Sequence, residues 1–294
     1  MKLLISGVSG YIGSHLIKNI DPEKYKVAVL VRKEVEDVLP GTIIINTHEA
    51  DWKKKVQSFG PETVLHLAAH LTSGDDEIQI DKLIEANIQF GTHVLDAVRT
   101  SNVKVFINTG TFAEYHIKNG KKTPAYLYAA TKTAFLSIIE YYQSIIGFRL
   151  LNIIPYTVYG GKHSAKKLID YIYESLGSSS AIKMTPGEQV LDFIHIDDVV
   201  DFYKTLLSRL DEVDKNVSEI HVGSGIGVTP KKIAELMELE SKAKTNINWG
   251  GMPYRQNDTM FSVAPQHLTG SQIGWAPSIN IEEGIRLYIK EKSR

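Results

Sequence analysis

Two hydrophobic patterns alternate along the first half of the chain. Short unbroken apolar runs recur at 3–5, 25–31, 42–45, 63–69, 104–108 and 150–154. Each is the mark of a strand buried on both faces, the kind found in parallel sheets. Between the runs, apolar residues fall at helical spacing, predicting helices over 14–20 and 51–59. A long helix is predicted over 81–99, with Asn87 and Thr92 polar within it, and another from just after Pro124 to about 146, where Gly147 stops it. Strand–helix alternation of this sort predicts an α/β fold with a parallel sheet.

Beyond Gly161 the alternation loosens, implying a smaller, less regular region. A helix over 168–176, a loop at 177–180 and a turn at 185–188 lead to a strand at 193–196. Asp197 or Asp198 is the expected cap of the helix that follows. A strand and turn over 220–225, a helix opened by Thr229 and Pro230, and an amphipathic helix over 281–289 complete the chain. The expected division is a cofactor-binding domain over 1–160 with a returning segment at about 193–225. A substrate domain over 161–192 and 226–294 completes it.

Chemistry enters first at the end of the first strand. Gly7, Gly10 and Gly13 form a glycine turn between a buried strand and a helix, the context in which such spacing carries meaning. Glycines let the backbone turn tightly and approach a pyrophosphate, whose charge favours a helix start. The second strand ends at Arg32-Lys33. An acid there would bind a ribose hydroxyl, whereas arginine accommodates a 2′-phosphate, so NADP(H) is favoured and NAD(H) stays possible. The later Glu34 and Glu36 keep the alternative open, in which Arg32 and Lys33 only solvate a loop. The small residues at 67–69 let a cofactor lie against the backbone. His66 and His70 are four apart, but the segment is a strand, so a shared metal site is not expected. His66 reads as a hydrogen-bonded core residue, and His70 as one that could face substrate.

The second piece of chemistry is Tyr128 with Lys132. Residues four apart on a helix share a face, so a phenol and an ammonium project together. A free tyrosine titrates near ~10, and bringing it to neutrality takes about 4 kcal/mol. A unit charge ~4 Å away at an effective dielectric of ~20 supplies about that much. The fifth strand opens into Thr109-Gly110-Thr111-Phe112, placing hydroxyls at the carboxyl edge of the sheet, although capping of the turn accounts for any one of them.

Composition narrows the classes. With 43% hydrophobic residues the chain can bury a full core, and a formal net charge of −1 disfavours a nucleic-acid surface. The absence of cysteine removes disulfides and thiol chemistry. No apolar run reaches the ~18 residues of a membrane helix, and the start is too short for a signal peptide, so a cytoplasmic protein is expected. The helix after Pro124 carries more apolar surface than one core face requires, which points to a homodimer.

Taken together, the glycine turn at 7–13, Val64-Leu65-His66-Leu67-Ala68-Ala69, Asn87 with Gly91-Thr92, Tyr128-x-x-x-Lys132, the stretch at 192–199 and Val222-Gly223-Ser224-Gly225 resemble the extended short-chain dehydrogenase/reductases that act on nucleotide-activated sugars. The stretches at 108–112, 127–132 and 186–189 are most similar to the CDP-abequose/CDP-paratose synthase branch, which reduces the 4-ketone of a CDP-linked 4-keto-6-deoxyglucose with NADPH. The resemblance implies a Rossmann-type doubly wound sheet with a smaller C-terminal substrate domain. It implies Thr111, Tyr128 and Lys132 as catalytic residues. The cofactor would be held by Gly7, Ser9, Gly10, Tyr11, Ile12, Gly13, Arg32, Lys33, Leu67, Ala68, Ala69, Asn87, Thr109 and Pro155 with Tyr128 and Lys132. The substrate would meet His70, Thr111, Phe112, Thr157 and Arg255, the last gripping a pyrophosphate. No metal is implied.

Three departures from that pattern matter. Dehydratases carry an Asp-Glu pair after the threonine; here Phe112-Ala113 stands there and Glu114 is displaced by one, so elimination lacks its acid and base. Thr157 replaces a frequent asparagine and Leu191 a frequent arginine. The acid of NAD-using epimerases is missing after the second strand. The expected reaction is reduction of a keto carbon, with Tyr128 as proton donor, Thr111 bonded to the same oxygen, and Lys132 holding ribose and lowering the tyrosine pKa. A 4-epimerase and a non-catalytic NADP(H)-binding sensor are the rivals.

Overall fold

The computed structural model describes residues 1–33, 35, 38–118 and 121–293, so Glu34 and Glu36 lie outside the described residues. The chain forms two compact units, residues 1–154 with 210–220, and residues 155–209 with 221–294.

The first unit is built on strands β1 (Lys2–Ser6), β2 (Lys26–Val31), β3 (Ile43–Asn46), β4 (Thr63–His66), β5 (Val105–Thr109) and β8 (Arg149–Pro155), with a small hairpin of β6 (Ile117–Lys118) and β7 (Lys121–Lys122) between the last two. The sheet order is β12-β8-β5-β4-β1-β2-β3, β12 being Glu219–Val222. The ladders from β3 across to β8 are parallel. The order reverses at β1, which has β2 on one side and β4 on the other; a crevice at the strands' carboxyl ends opens at such a point. Register aligns Leu4 with Val64, Val64 with Phe106 and Phe106 with Leu150, so these side chains share one face. They form one core with Val94, Phe135 and Ile139, which come from α4 (Phe90–Ala97) and α5 (Leu127–Ile146). Gly147 ends α5 in the left-handed conformation, φ 86°, as its position predicts.

Two helices differ from expectation. Helix α1 (Tyr11–Leu16) starts directly on Gly10 rather than at Ser14, before a 3-10 turn at Ile17–Asn19. The helix expected over 81–99 is three pieces: α3 (Glu77–Ile84), a π-turn at Glu85–Gln89, and α4. A π-turn accommodates one extra residue without disturbing the apolar period on either side, so the pattern gives no sign of it. Helix α2 (Trp52–Phe59) completes this unit.

In the second unit β11 (Val190–His195) lies in a four-stranded sheet, pairing with β9 (Thr157–Tyr159), β13 (Gly227–Val228) and β15 (Phe261–Ser262). Strands β10 (Ile182–Met184) and β14 (Ile247–Trp249) pair separately. Residues 155–160, 193–209 and 221–225, expected in the cofactor domain, fall in this unit instead; β11 takes β9 as its neighbour, not a strand of the seven-stranded sheet. Helices α6 (Leu168–Glu174), α7 (Ile196–Ser208), α8 (Pro230–Ser241) and α9 (Ile281–Lys292) contribute to this unit, and Ile169, Phe193, Met237, Ile285 and Tyr288 join in its core. The cap of α7 is His195, whose side chain accepts from the Asp197 N–H; neither expected aspartate serves. Asp198 instead accepts from Ser278 N–H and Oγ and from Ile279 N–H, holding a loop. Thr229 and Pro230 open α8 as expected.

Candidate active site

The glycine turn is shaped by contacts that exclude any side chain. Gly7 has φ +83°, and a Cβ there would lie 2.4 Å from the Ala68 nitrogen; one on Gly13 would lie 2.2 Å from the Gly7 carbonyl oxygen. The turn from β1 is thus pressed against the exit of β4 and against α1. It opens into a cavity of about 430 Å³. Of the expected cofactor residues, Gly7, Ser9, Gly10, Arg32, Leu67, Ala68 and Ala69 line it. Lys33 does not, and Tyr11, Ile12 and Gly13 form the start of α1. The cavity also recruits Thr47 and His48 after β3, Trp52 from α2, and Phe90 and His93 from α4. Sequence reasoning passed over these. The polar Thr47-His48 at a strand end was the available signal, since a parallel sheet gathers such ends on one edge. A glycine turn and small residues on the facing loop fit a dinucleotide.

The catalytic candidates lie in the same unit. Tyr128, Lys132 and Thr111 are all buried, the lysine almost completely at 2% exposure. Tyr128 and Lys132 stand one turn apart near the start of α5, and Tyr128 stacks on Tyr126 with ring centroids 6.0 Å apart. Thr131 Oγ1 donates to the Tyr128 carbonyl at 2.7 Å and accepts from Asn87 Nδ2 at 3.0 Å. Asn87, fully buried in the π-turn, also bonds His70 through both backbone groups, at 2.7 and 3.1 Å. One asparagine thus ties the loop after β4 to the tyrosine helix. The His70 ring is engaged by Gln79 at 2.8 Å.

Thr111 caps the 3-10 turn Phe112–Tyr115, accepting from Ala113 N–H at 3.4 Å. Glu114 completes the box. Its Oε1 accepts from Thr111 N–H at 2.9 Å and its Oε2 from Thr133 Oγ1 at 2.9 Å, with the residue 3% exposed. Burial raises the Glu114 pKa, opposed by these two donors and by Lys132 and Lys122. Both oxygens are committed inside the fold, so this displaced acid does not stand in for the missing elimination pair.

Electrostatics correct one expectation. Lys132 is not what sets the Tyr128 phenol: burial pushes its pKa above the ordinary value, and Tyr126 and Glu114 push the same way. Burial also lowers Lys132 to about 8, with Glu114 opposing. The site therefore holds a protonated phenol beside an ammonium at neutral pH. His66 is fully buried, with Nδ1 2.8 Å from Ser6 Oγ, and burial followed by the Lys132 charge lowers it to about 3. It is the hydrogen-bonded core residue expected. Thr109 and Pro155, at the ends of β5 and β8, are buried.

In the second unit Thr157 opens β9 and is half-buried, next to Tyr156, whose hydroxyl lies 3.0 Å from His221 Nδ1. Arg255 is exposed, its backbone N–H directed to Asp258.

Residues 3–223 match the NAD dependent epimerase/dehydratase family. The chain belongs to this family. A CDP-abequose synthase of Salmonella muenchen is 26% identical over 99% of this chain and 98% of that protein. Among solved structures, a Thermus thermophilus UDP-glucose 4-epimerase with NAD superposes at TM-score 0.82 and 22% identity, covering 99% of this chain and 98% of that one. A Thermotoga maritima UDP-glucose 4-epimerase with UDP-glucose gives 0.83 and 21%, with both chains fully covered. These likenesses carry the Rossmann-type epimerase/dehydratase fold. The chain is an NAD(P)-dependent enzyme of the oxidoreductase–epimerase type. Among the described residues, no helix is long and apolar enough to cross a membrane.

Proposed function

We propose that the protein is an NADPH-dependent reductase acting on the 4-keto group of a nucleotide-linked 4-keto-6-deoxy sugar. The observation that carries this reading is a buried, protonated Tyr128 set one turn from the Lys132 ammonium, with Thr111 in the same unit and no free acid–base pair after it. The full-length likeness to CDP-abequose synthase supports the substrate class. Arg32 in the cavity wall supports the 2′-phosphate.

The bound reduced nicotinamide supplies hydride. The chain supplies the rest. As negative charge develops on the carbonyl oxygen, Tyr128 donates its proton to it; a phenol held protonated by burial is in the state a reduction needs, and an alkoxide is basic enough to take that proton. Thr111 Oγ1 accepts from Ala113 N–H, which leaves its own hydrogen to donate to the same oxygen. Lys132 holds the ribose and keeps positive charge beside the phenol. His70 and Phe112, in the unit that holds Tyr128, receive the sugar. Exposed Tyr141 and Ile145 on α5 form the contact of a proposed homodimer, tested by sedimentation of the Tyr141→Glu variant. The cytoplasm is the proposed compartment, tested by fractionation.

The test is a panel of CDP-, dTDP-, UDP- and GDP-linked 4-keto-6-deoxy sugars followed by NADPH absorbance. Turnover with one of them is expected, with cofactor that exchanges freely. Tightly held NAD in the purified protein and interconversion without net reduction would make it an epimerase. No oxidation of NADPH with any ketone would make it a binding protein.

A further inference from the structure

We infer that Glu114 is a positioning residue for this chemistry: a buried carboxylate that braces the Thr111 turn against the helix carrying Tyr128 and Lys132, and whose negative charge acts on that lysine. The inference rests on the reductase reading for its kinetic arm only.

The brace is geometric. Each Glu114 oxygen accepts one hydrogen bond, from Thr111 N–H at 2.9 Å and from Thr133 Oγ1 at 2.9 Å. The first donor belongs to the residue that meets the carbonyl oxygen. The second follows Lys132 directly along α5. One side chain therefore fixes the separation between two catalytic elements that are 17 residues apart at their nearest members, Thr111 and Tyr128. Gly110 makes room for it, since a Cβ there would lie 2.8 Å from Glu114 Oε1. The Thr111 N–H can only donate and the Thr133 hydroxyl can do so, an arrangement that an ionised carboxylate satisfies on both oxygens.

Few other charges compete. From the hairpin, Lys122 acts on Glu114. From β4, His66 feels Lys132 but is neutral. Tyr128, at the start of α5, is held protonated chiefly by burial. On the elements packed against α5, Glu77, Asp81, Lys82, Glu85 and His93 are exposed, and Asp96 is paired with Lys53 at 2.7 Å. Glu114 opposes the loss of the Lys132 proton, and it adds to the burial and the Tyr126 effect that keep Tyr128 protonated.

The experiment uses the full-length protein with two substitutions. Glu114→Gln keeps an acceptor for Thr111 N–H and offers an N–H to Thr133, so the brace survives and the charge is removed. The Lys132 ¹³Cε shift, assigned by its loss in Lys132→Met, is followed against pH. A fall of its midpoint by about one unit is expected in Glu114→Gln. In the kinetic arm, the alkaline limb of kcat/KM should move down by the same amount. Glu114→Ala should lower kcat about tenfold or more, with Glu114→Gln restoring most of it near pH 7, while NADPH affinity changes less than about threefold. An unchanged Lys132 midpoint in Glu114→Gln overturns the electrostatic half, whatever the substrate proves to be. Wild-type kcat in Glu114→Ala overturns the brace. If wild type reduces no ketone, the reductase reading fails while the lysine titration still decides the charge effect.

Discussion

Buried carboxylates serve different ends in the two compact units. In the second, Asp192 is wholly buried and accepts from Ser224 N–H at 2.7 Å, Ser224 Oγ at 2.6 Å, Gly225 N–H at 2.8 Å and Ala264 N–H at 3.1 Å. Asp198 holds the 278–279 loop, and Asp170 accepts from Tyr288 Oη at 2.5 Å and Lys167 N–H at 2.8 Å. Strands there are short, so side-chain oxygens satisfy backbone donors that a ladder would otherwise take. In the first unit seven strands satisfy one another, and the buried carboxylate Glu114 lies among the candidate catalytic residues. A buried acid thus marks loop anchorage where ladders are short, and site organisation where they are long.

Four substitutions or titrations would break or sharpen that contrast. The largest effect is expected from Tyr128→Phe, which should cut kcat by ~10²–10⁴-fold while leaving NADPH affinity within about threefold. Full activity with the phenylalanine would remove the centre of the first unit's chemistry. Next, Asp192→Ala leaves four donors unmet and should cost about 4 kcal/mol of stability, read by urea unfolding. A loss under about 1 kcal/mol would show that the loops of the second unit do not depend on their acid.

His66 gives the third. Its folded pKa of about 3 lies below the ordinary value of 6.5, so the unfolded chain binds the proton first. Stability is whole above about pH 6.5 and falls as pH drops toward about 3, by about 1.4 kcal/mol per unit, from this group. His66→Gln should flatten that slope in denaturant titrations between pH 6 and about 4.5. The smallest effect is Arg32→Ser, expected to lower kcat/KM for NADPH about tenfold and leave NADH within about twofold, with unchanged Tm. Equal losses for both cofactors would reassign Arg32 to the loop.

The sequence made the parallel strands and the glycine turn readable, because strands buried on both faces are continuous apolar runs and Gly7 and Gly13 stand where no side chain fits. The tyrosine–lysine pair was readable because helical spacing puts it on one face. What escaped reading depends on tertiary neighbours. His195 caps α7 because its ring turns back on Asp197, while the adjacent aspartates offered the more usual cap. Residues 193–209 joined the second unit because β11 found β9, a pairing that no local pattern reports. Trp52, His48 and His93 meet at one cavity only once three separate strand–helix connections are folded. The phenol's raised pKa needed burial, which spacing does not measure.

The π-turn at Glu85–Gln89 carries a last consequence. Deleting a single residue there would let the backbone become one continuous α-helix, locally an improvement. It would also swing everything on its amino-terminal side by about 100°, carrying the Asn87 amide away from Thr131. Length at this point is therefore held by a side chain's aim, and α3 is expected to tolerate changes of residue far better than changes of count.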